Sequence, residues 1–404
     1  MEATESKPQT AICQERKTCR ACESKTLVSV LDLGLQALPR FPEAGDEKIP
    51  EAPLHLVQCG MCGLLQLLHS VDPDLVFRQY YYRSSVNQTM RDALQDLVLS
   101  ACELVRKGTW LDIGANDGTL LSKVPVTFRK VACEPAATFT AQLHEHAGVV
   151  IPEYFSRKHL TRNGEFQADV ITSAAMFYDL DDPNAFVEDI SRTLTDQGVW
   201  VNQLNDSPTM LRRNAFDSVV HEHLCYYDLP SLKDMYRRHG LSITQVTYNE
   251  VNGGSVRVFA SKLGRRPSVT PEGHRRVSIR DVQAFARRVA RWREQMRQIL
   301  DSDLMRYRPL WGYGASTKLG TLLGYLGRND MFIGIADRNP AKWGKRFGNT
   351  GIPIVSEADF RAAKPGYVLV GPWAFKQEFL ERERAIMEEG ATLVFPLPNI
   401  EFCV

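Results

Sequence analysis

Thr109-Trp110-Leu111-Asp112-Ile113-Gly114-Ala115-Asn116-Asp117-Gly118 is the stretch on which the reading of this chain turns. A buried-strand run enters a glycine turn, and helical spacing follows. Gly114 permits the tight turn and lets a ligand approach the backbone. The spacing from Gly114 to Gly118 differs from the G-x-G-x-x-G of dinucleotide sites, so a pyrophosphate cradle is poorly supported. Carboxylates at Asp112 and Asp117 suit a cationic ligand better than a phosphate. The next strand-like run, Lys130-Val131-Ala132-Cys133, ends at Glu134-Pro135, where an acid can take both hydroxyls of a ribose. The stretch reads as a nucleotide-cofactor loop. An NAD site and a plain structural turn stay open beside that reading.

Outward from the loop, Ala168-Asp169-Val170-Ile171-Thr172 and Gly198-Val199-Trp200-Val201-Asn202 are two further buried strands, with helical spacing between. Residues from about 91 to 265 therefore form an α/β unit with a mainly parallel sheet. Gly264–Pro267 through Pro271-Glu272-Gly273 is a Pro/Gly break that reads as a linker. A long amphipathic helix follows, with Ile279, Val282, Phe285, Ala286, Val289, Trp292, Met296, Ile299 and Leu300 at three- and four-residue steps. Arg287, Arg288, Arg291, Arg293 and Arg297 are assigned to its solvated face. Leu310-Trp311-Gly312-Tyr313-Gly314, Met331–Asp337, Tyr367–Gly371 and Thr392–Pro396 complete a second small α/β unit, so the last domain spans 266–404.

At 404 residues the chain exceeds one ordinary core. Lys and Arg number 49 against 48 Asp and Glu, which supports neither nucleic-acid binding nor a membrane surface as partner. No run approaches the roughly 20 apolar residues that span a bilayer. Met1–Ser6 lacks an apolar signal core, and a cytoplasmic protein is expected. The first dozen residues read as a disordered tail. Nine cysteines then read as thiols or metal ligands. Cys19-Arg20-Ala21-Cys22 and Cys59-Gly60-Met61-Cys62 are two C-x-x-C pairs, the pattern of a tetrahedral zinc site. All four positions are filled by protein, so this zinc is structural, in a small domain over 13–90. Cys13, Cys102, Cys133, Cys225 and Cys403 lack such spacing and read as packing residues.

Ser218-Val219-Val220-His221-Glu222-His223-Leu224-Cys225-Tyr226-Tyr227 places base candidates, a carboxylate and aromatics together. H-E-x-x-H is absent, which argues against a zinc protease site. Taken alone, His221, Glu222 and His223 would read as a polar turn. In this chain they follow a zinc domain, a Tyr80-Tyr81-Tyr82-Arg83-Ser84-Ser85 segment and the loop at Asp112–Gly118. They precede Gly253-Gly254-Ser255-Val256-Arg257, Gly312-Tyr313-Gly314-Ala315-Ser316-Thr317-Lys318 and Asp337-Arg338-Asn339-Pro340-Ala341-Lys342. That ordered set, from Cys19 to the C-terminus, resembles the three-domain S-adenosylmethionine (SAM) dependent C-methyltransferases of nucleotide-linked keto-sugars in deoxysugar biosynthesis.

The resemblance implies a class I methyltransferase domain flanked by a small N-terminal zinc domain and a C-terminal Rossmann-like domain. It implies SAM held by Asp112, Gly114, Asn116, Asp117, Gly118, Glu134, Ala174 and Met176, and zinc on Cys19, Cys22, Cys59 and Cys62. Asp169 and Ser173–Asp179 would open onto cofactor and substrate. His223 maps to the base, Glu222 to its neighbour, and Tyr80 or Tyr82 to a tyrosine in the active site; His221 is the second base candidate. Val220, Ala175 and Asp179 stand where members of the family often carry Tyr, Asn and His. The expected reaction takes the proton beside a sugar ketone, leaving an enolate whose carbon accepts the methyl group. The expected partner is a nucleotide-sugar, with no nucleic acid or membrane, and the chain is expected to act as a monomer. The C-terminal loop with Lys318 could hold the nucleotide, or the domain could only close the cleft. O- or N-methylation, a zinc scaffold without turnover, and an NAD-dependent oxidoreductase remain alternatives.

Overall fold

The computed structural model describes residues 12–43, 45–46, 48–78, 80–162, 166–269, 275–302 and 308–404. The first eleven residues of the expected tail, the 271–273 part of the linker and Gln79 lie outside the described residues. Strands alternate with helices wherever apolar runs alternate with helical spacing, and three larger sheets result.

The N-terminal strands are β1 (Cys13–Glu15), β2 (Leu27–Ala37), β3 (Glu51–Cys59), β4 (Leu65–Leu67) and β5 (His69–Val71). The next domain supplies β6 (Gly108–Ile113), β7 (Phe128–Cys133), β8 (Val149–Ile151), β9 (Ala168–Ala174), β10 (Leu194–Asn205), β11 (Cys225–Tyr226), β12 (Leu241–Asn249) and β13 (Ser255–Lys262). Its seven-stranded sheet runs β12-β13-β10-β9-β6-β7-β8, with β13 antiparallel to both neighbours and the remaining neighbours parallel. That is the class I SAM methyltransferase order. Trp110, Leu111, Val170, Ile171, Val199 and Trp200 are fully buried, as strands covered on both faces require.

The helix Gln88–Leu104 is capped by Asn87 and buries Leu94, Leu97, Val98 and Ala101 in the same cluster as Trp110 and Phe259. It runs across the expected boundary at 90/91, and β13 ends at Lys262. Asp169 is displaced from its expected place. It opens β9, where its Oδ2 accepts from the Thr109 amide at 2.8 Å, at the strand end opposite Ala174. Parallel strands put all their C-terminal ends on one edge, and Asp169 is on the other.

In the C-terminal domain β14 (Leu310–Tyr313), β15 (Phe332–Ala336), β16 (Ile354–Val355), β17 (Tyr367–Val370), β18 (Thr392–Phe395) and β19 (Glu401–Cys403) order as β16-β15-β14-β17-β18-β19. All neighbours are parallel except β19. The leading helix, Ile279–Asp301, starts with a Ser278/Asp281 capping box and buries Val282, Phe285, Val289, Trp292, Met296 and Leu300, while Ile279 in its exposed first turn stays in solvent. Its arginines depart from a purely solvated face. Arg288 donates to the Leu211 carbonyl, Arg297 to the Leu326 carbonyl, and Arg293 lies 4.7 Å from the Tyr325 ring. The helix packs between domains, so side chains flanking its stripe reach neighbours on both sides.

Candidate active site

In open α/β sheets the crevice forms where strand order reverses, at the C-terminal strand ends. The chain has two such points, beyond β6 and β9 in the first sheet and beyond β14 and β17 in the second. Gly114 and Ala174 from the former, and Gly314 and Gly371 from the latter, line one cavity of about 630 Å³. The tyrosine segment before the helix Gln88–Leu104 and the H-E-H loop close its remaining sides.

The cofactor loop turns at Gly114 (φ +69°), where a Cβ would meet Met176 Cγ at 3.1 Å. Glu134, 7% exposed, accepts from the amides of Asn116 at 2.8 Å and Ala136 at 2.9 Å. Burial nevertheless pushes its carboxyl up from the usual range. Asp112 also lines the cavity but accepts from Thr172 Oγ1 at 2.6 Å, and burial raises it to about 7. Asn116 and Asp117 serve the neighbouring segment as well as the loop. Asn116 Oδ1 accepts from the Ser84 amide, its Nδ2 donates to the Tyr82 carbonyl, and Asp117 Oδ2 accepts from the Ser85 amide. Sequence alone links these residues to a ligand and misses this second use. Gly118 caps the following helix at φ +78° and faces His146. Asp117 and Gly118 stand off the cavity; Asp112, Gly114, Asn116, Glu134, Ala174 and Met176 line it.

Tyr80 and Tyr82 both face the cavity, with ring centroids 6.4 Å apart. Burial, then Glu222 and Asp179, push the Tyr80 hydroxyl well above its ordinary value. Tyr82 is raised by burial and by Asp117. Tyr80 is therefore the tyrosine on the H-E-H side.

The H-E-H loop is anchored to the N-terminal sheet. β11, just after it, pairs with β4 to give the order β11-β4-β3-β2, and the Leu67 amide donates to the Leu224 carbonyl. His221 Nε2 lies 3.0 Å from the Ala52 carbonyl and so carries the proton. Burial lowers His221 to about 4. His223 has its Nδ1 2.9 Å from the Ser218 carbonyl, which assigns the proton to Nδ1 and leaves Nε2 with a lone pair. Its ring stands edge-on to Tyr178 at 4.3 Å. Burial first, and then the Lys318 charge, depress it to about 3. Glu222 is 4% exposed, its Oε2 has no hydrogen-bond partner among the described residues, and burial raises it to about 7.

Opposite this loop the C-terminal domain presents Lys318, Lys342, Arg338 and Arg382. Arg338 and Arg382 share Glu357 and Glu378, and Lys342 pairs with Asp337. Lys318 Nζ donates to the Asn252 carbonyl at 3.0 Å and, among the described residues, makes no ion pair. Trp373 Nε1 donates to the buried Asp217 at 2.8 Å, a tie between the two α/β domains that no local sequence signal announces.

The four cysteine sulfurs Cys19, Cys22, Cys59 and Cys62 lie within 4.8 Å of one another. Cys19 and Cys62 sulfurs are 3.5 Å apart, and those of Cys22 and Cys59 are 3.6 Å apart. A tetrahedron of thiolates about 2.3 Å from zinc has edges of about 3.8 Å, so the set fits the metal. Arg20, between the first two cysteines, is 2% exposed and bonds to Gln66, Ser70 and Asp181. No helix among the described residues is long and apolar enough to cross a membrane.

Comparisons with known proteins agree with this layout. Residues 19–77 match a zinc binding domain family, 82–246 a methyltransferase domain, and 250–398 a C-methyltransferase C-terminal domain. The chain is 28% identical to C-methyltransferase NovU of Streptomyces niveus over 405 aligned positions, covering 94% of this chain and 95% of that protein. A SAM-dependent methyltransferase structure from Clostridium acetobutylicum ATCC 824 is 12% identical, covers 43% of this chain and 92% of its own, and gives a TM-score of 0.34. The N-methyltransferase NodS of Bradyrhizobium japonicum WM9 is 12% identical, covers 44% and 98%, and gives 0.35. With its zinc-site domain, its class I sheet and its second α/β domain in this order, the chain belongs to the three-domain SAM-dependent C-methyltransferases.

Proposed function

We propose that this C-methyltransferase acts on a nucleotide-linked 4-keto-deoxysugar, alpha to the ketone, by base-catalysed enolate formation. The observation that carries the reading is His223. Its Nδ1 is held by the Ser218 carbonyl, which leaves Nε2 to accept a proton, and the residue lines the cavity that also contains the loop after β6. A C–H next to a ketone is acidic enough for a neutral imidazole to take. Burial and Lys318 hold His223 in that neutral form. Tyr80, a neutral phenol lining the same cavity, would hydrogen-bond the sugar. Lys318, with only a carbonyl partner, suits a diphosphate, and a bound anion there would restore basicity to His223.

SAM, when bound, supplies an electrophilic methyl group. Gly114, Glu134, Ala174 and Met176 would hold it, with Asp112 beneath the loop. Two amides fix the Glu134 carboxylate, one at each oxygen, and its remaining lone pairs would take the hydroxyls of a ribose. Glu134→Ala is expected to weaken SAM binding about 10–100-fold, the loss of hydrogen bonds to a charged acceptor. Calorimetry with SAM checks this, and unchanged affinity would remove Glu134 from the cofactor site.

The reaction itself is tested with a dTDP-linked 4-keto-6-deoxyhexose in deuterated water, followed by mass spectrometry. Without SAM the enzyme should exchange one carbon-bound proton; with SAM it should add a methyl group on carbon. Methylation on oxygen or nitrogen, with no exchange at carbon, would overturn the enolate reading.

A further inference from the structure

Asp179 stands beside the H-E-H loop with a carboxyl that the reading above does not use. It closes a short turn, Phe177–Asp179, at the mouth of β9, directly after the Tyr178 that rests on His223. Phe177 holds the turn in place, fully buried against Trp200, Phe186 and Tyr227. Asp179 lines the same cavity as Glu222, and its Oδ1, like Glu222 Oε2, is cut off from solvent with no hydrogen-bond partner. Among the described residues neither carboxyl has an ion-pair partner. The nearby arginines, Arg16 and Arg20, pair with Asp181 instead. Lys318 acts on His223 and Asp217. The other groups around the pair are phenols: Tyr80, Tyr178 and Tyr226, each raised by burial and by these same two carboxyls.

Two carboxyls that sense each other, with no cation among the described residues paired to either, do not readily both ionise. One keeps its proton and becomes a donor, as a buried neutral acid can at an enolising site. Burial and the Glu222 charge both favour the proton on Asp179. An unpartnered buried oxygen is costly unless something else fills its need, and a ligand is what this cavity is built to receive.

Resting on the enolising reading, we propose that Asp179 is a catalytic acid of this site, whose protonated carboxyl donates a hydrogen bond to the substrate carbonyl oxygen. As the adjacent C–H bond breaks, its proton goes to His223 and its electron pair moves through the carbon–carbon bond onto that oxygen. The Asp179 O–H meets the negative charge as it forms, while Glu222 stays ionised and keeps the proton on its neighbour. The donor is worth most at the moment of charge development, in a site that excludes water.

Two measurements test this. The first needs no substrate. Infrared difference spectra of wild type minus Asp179→Asn at neutral pH should show the C=O stretch of a protonated carboxyl, shifting in deuterated water. Loss of ionised-carboxylate bands alone would overturn the proposal. The second compares Asp179→Asn with Asp179→Ala in the deuterium-exchange assay, with SAM affinity as the check on folding. Asn keeps an N–H donor, so its exchange should stay within about tenfold of wild type, whereas Ala should lose about 10²–10³-fold. Equal losses in Asn and Ala would mean that charge matters and donation does not, as an ammonium anchor on the sugar would require. A wild-type enzyme that exchanges nothing sinks the enolising reading, and this role with it, whatever the infrared result.

Discussion

Glutamine at position 223 removes proton abstraction and leaves SAM binding intact. Exchange of the substrate proton, and methyl transfer with it, should fall about 10³–10⁴-fold in His223→Gln, at the upper end of what a general base contributes. The argument starts from the ring's two nitrogens. Nδ1 is committed to the Ser218 carbonyl, so only Nε2 can accept, and the Tyr178 edge fixes where it points. A glutamine fills a similar volume and offers donors, but it accepts no proton from carbon. The residues proposed to hold SAM come from other segments, the loop after β6 and Glu134, so cofactor affinity should stay within about twofold, as for independent sites. Glu222→Gln is the comparison that matters. Glu222, raised to about 7 with a free Oε2, is the other group able to take the proton. Loss of exchange in Glu222→Gln with retention in His223→Gln would move the base to Glu222.

Much of this arrangement was legible in the sequence where the signal is local. The strand at Thr109–Ile113, the capped helix from Ile279 and the two cysteine pairs are written in short periodic or spaced patterns. What failed or stayed hidden is long-range. Asp169 sits on a strand that was correctly read, yet its end of that strand depends on the direction of the whole sheet. Asn116 and Asp117 follow a ligand-loop pattern, while their side chains are also bonded to residues more than thirty positions away. The arginines of the long helix look solvated until the neighbouring domains are in place. Val220 and Asp179 were visible as departures from the family. That Asp179 and Glu222 line one cavity, with no cation among the described residues paired to either, needs both loops folded. Ala175 is a related case. Its φ of +57° is a left-handed backbone that an alanine side chain tolerates poorly and an asparagine adopts more readily, so the turn ahead of Asp179 holds some strain.

Removal of the zinc should disable the enzyme at a distance from the metal. In Cys59→Ser, or after chelation, the N-terminal sheet should unfold as a unit, because thiolate–zinc bonds supply apparent folding free energies of about 10–16 kcal/mol in small zinc domains. Cys59 ends β3 and Cys62 lies just before β4, so the metal closes the turn that aligns those strands. The loss reaches the active site through two bonds. His221 donates to Ala52 at the start of β3, and Leu67 in β4 donates to the Leu224 carbonyl. Both hold the H-E-H loop, while the SAM loop rests on its own seven-stranded sheet. The expected outcome is therefore split. Zinc content falls, amide protons in Glu51–Cys59 exchange freely, and sugar turnover drops by more than about 10²-fold, as misplacement of a catalytic group by an ångström does. SAM affinity falls far less. A variant that loses zinc yet keeps its melting temperature and its turnover would show that the sheet stands without the metal and that the H-E-H loop is positioned by the methyltransferase domain alone.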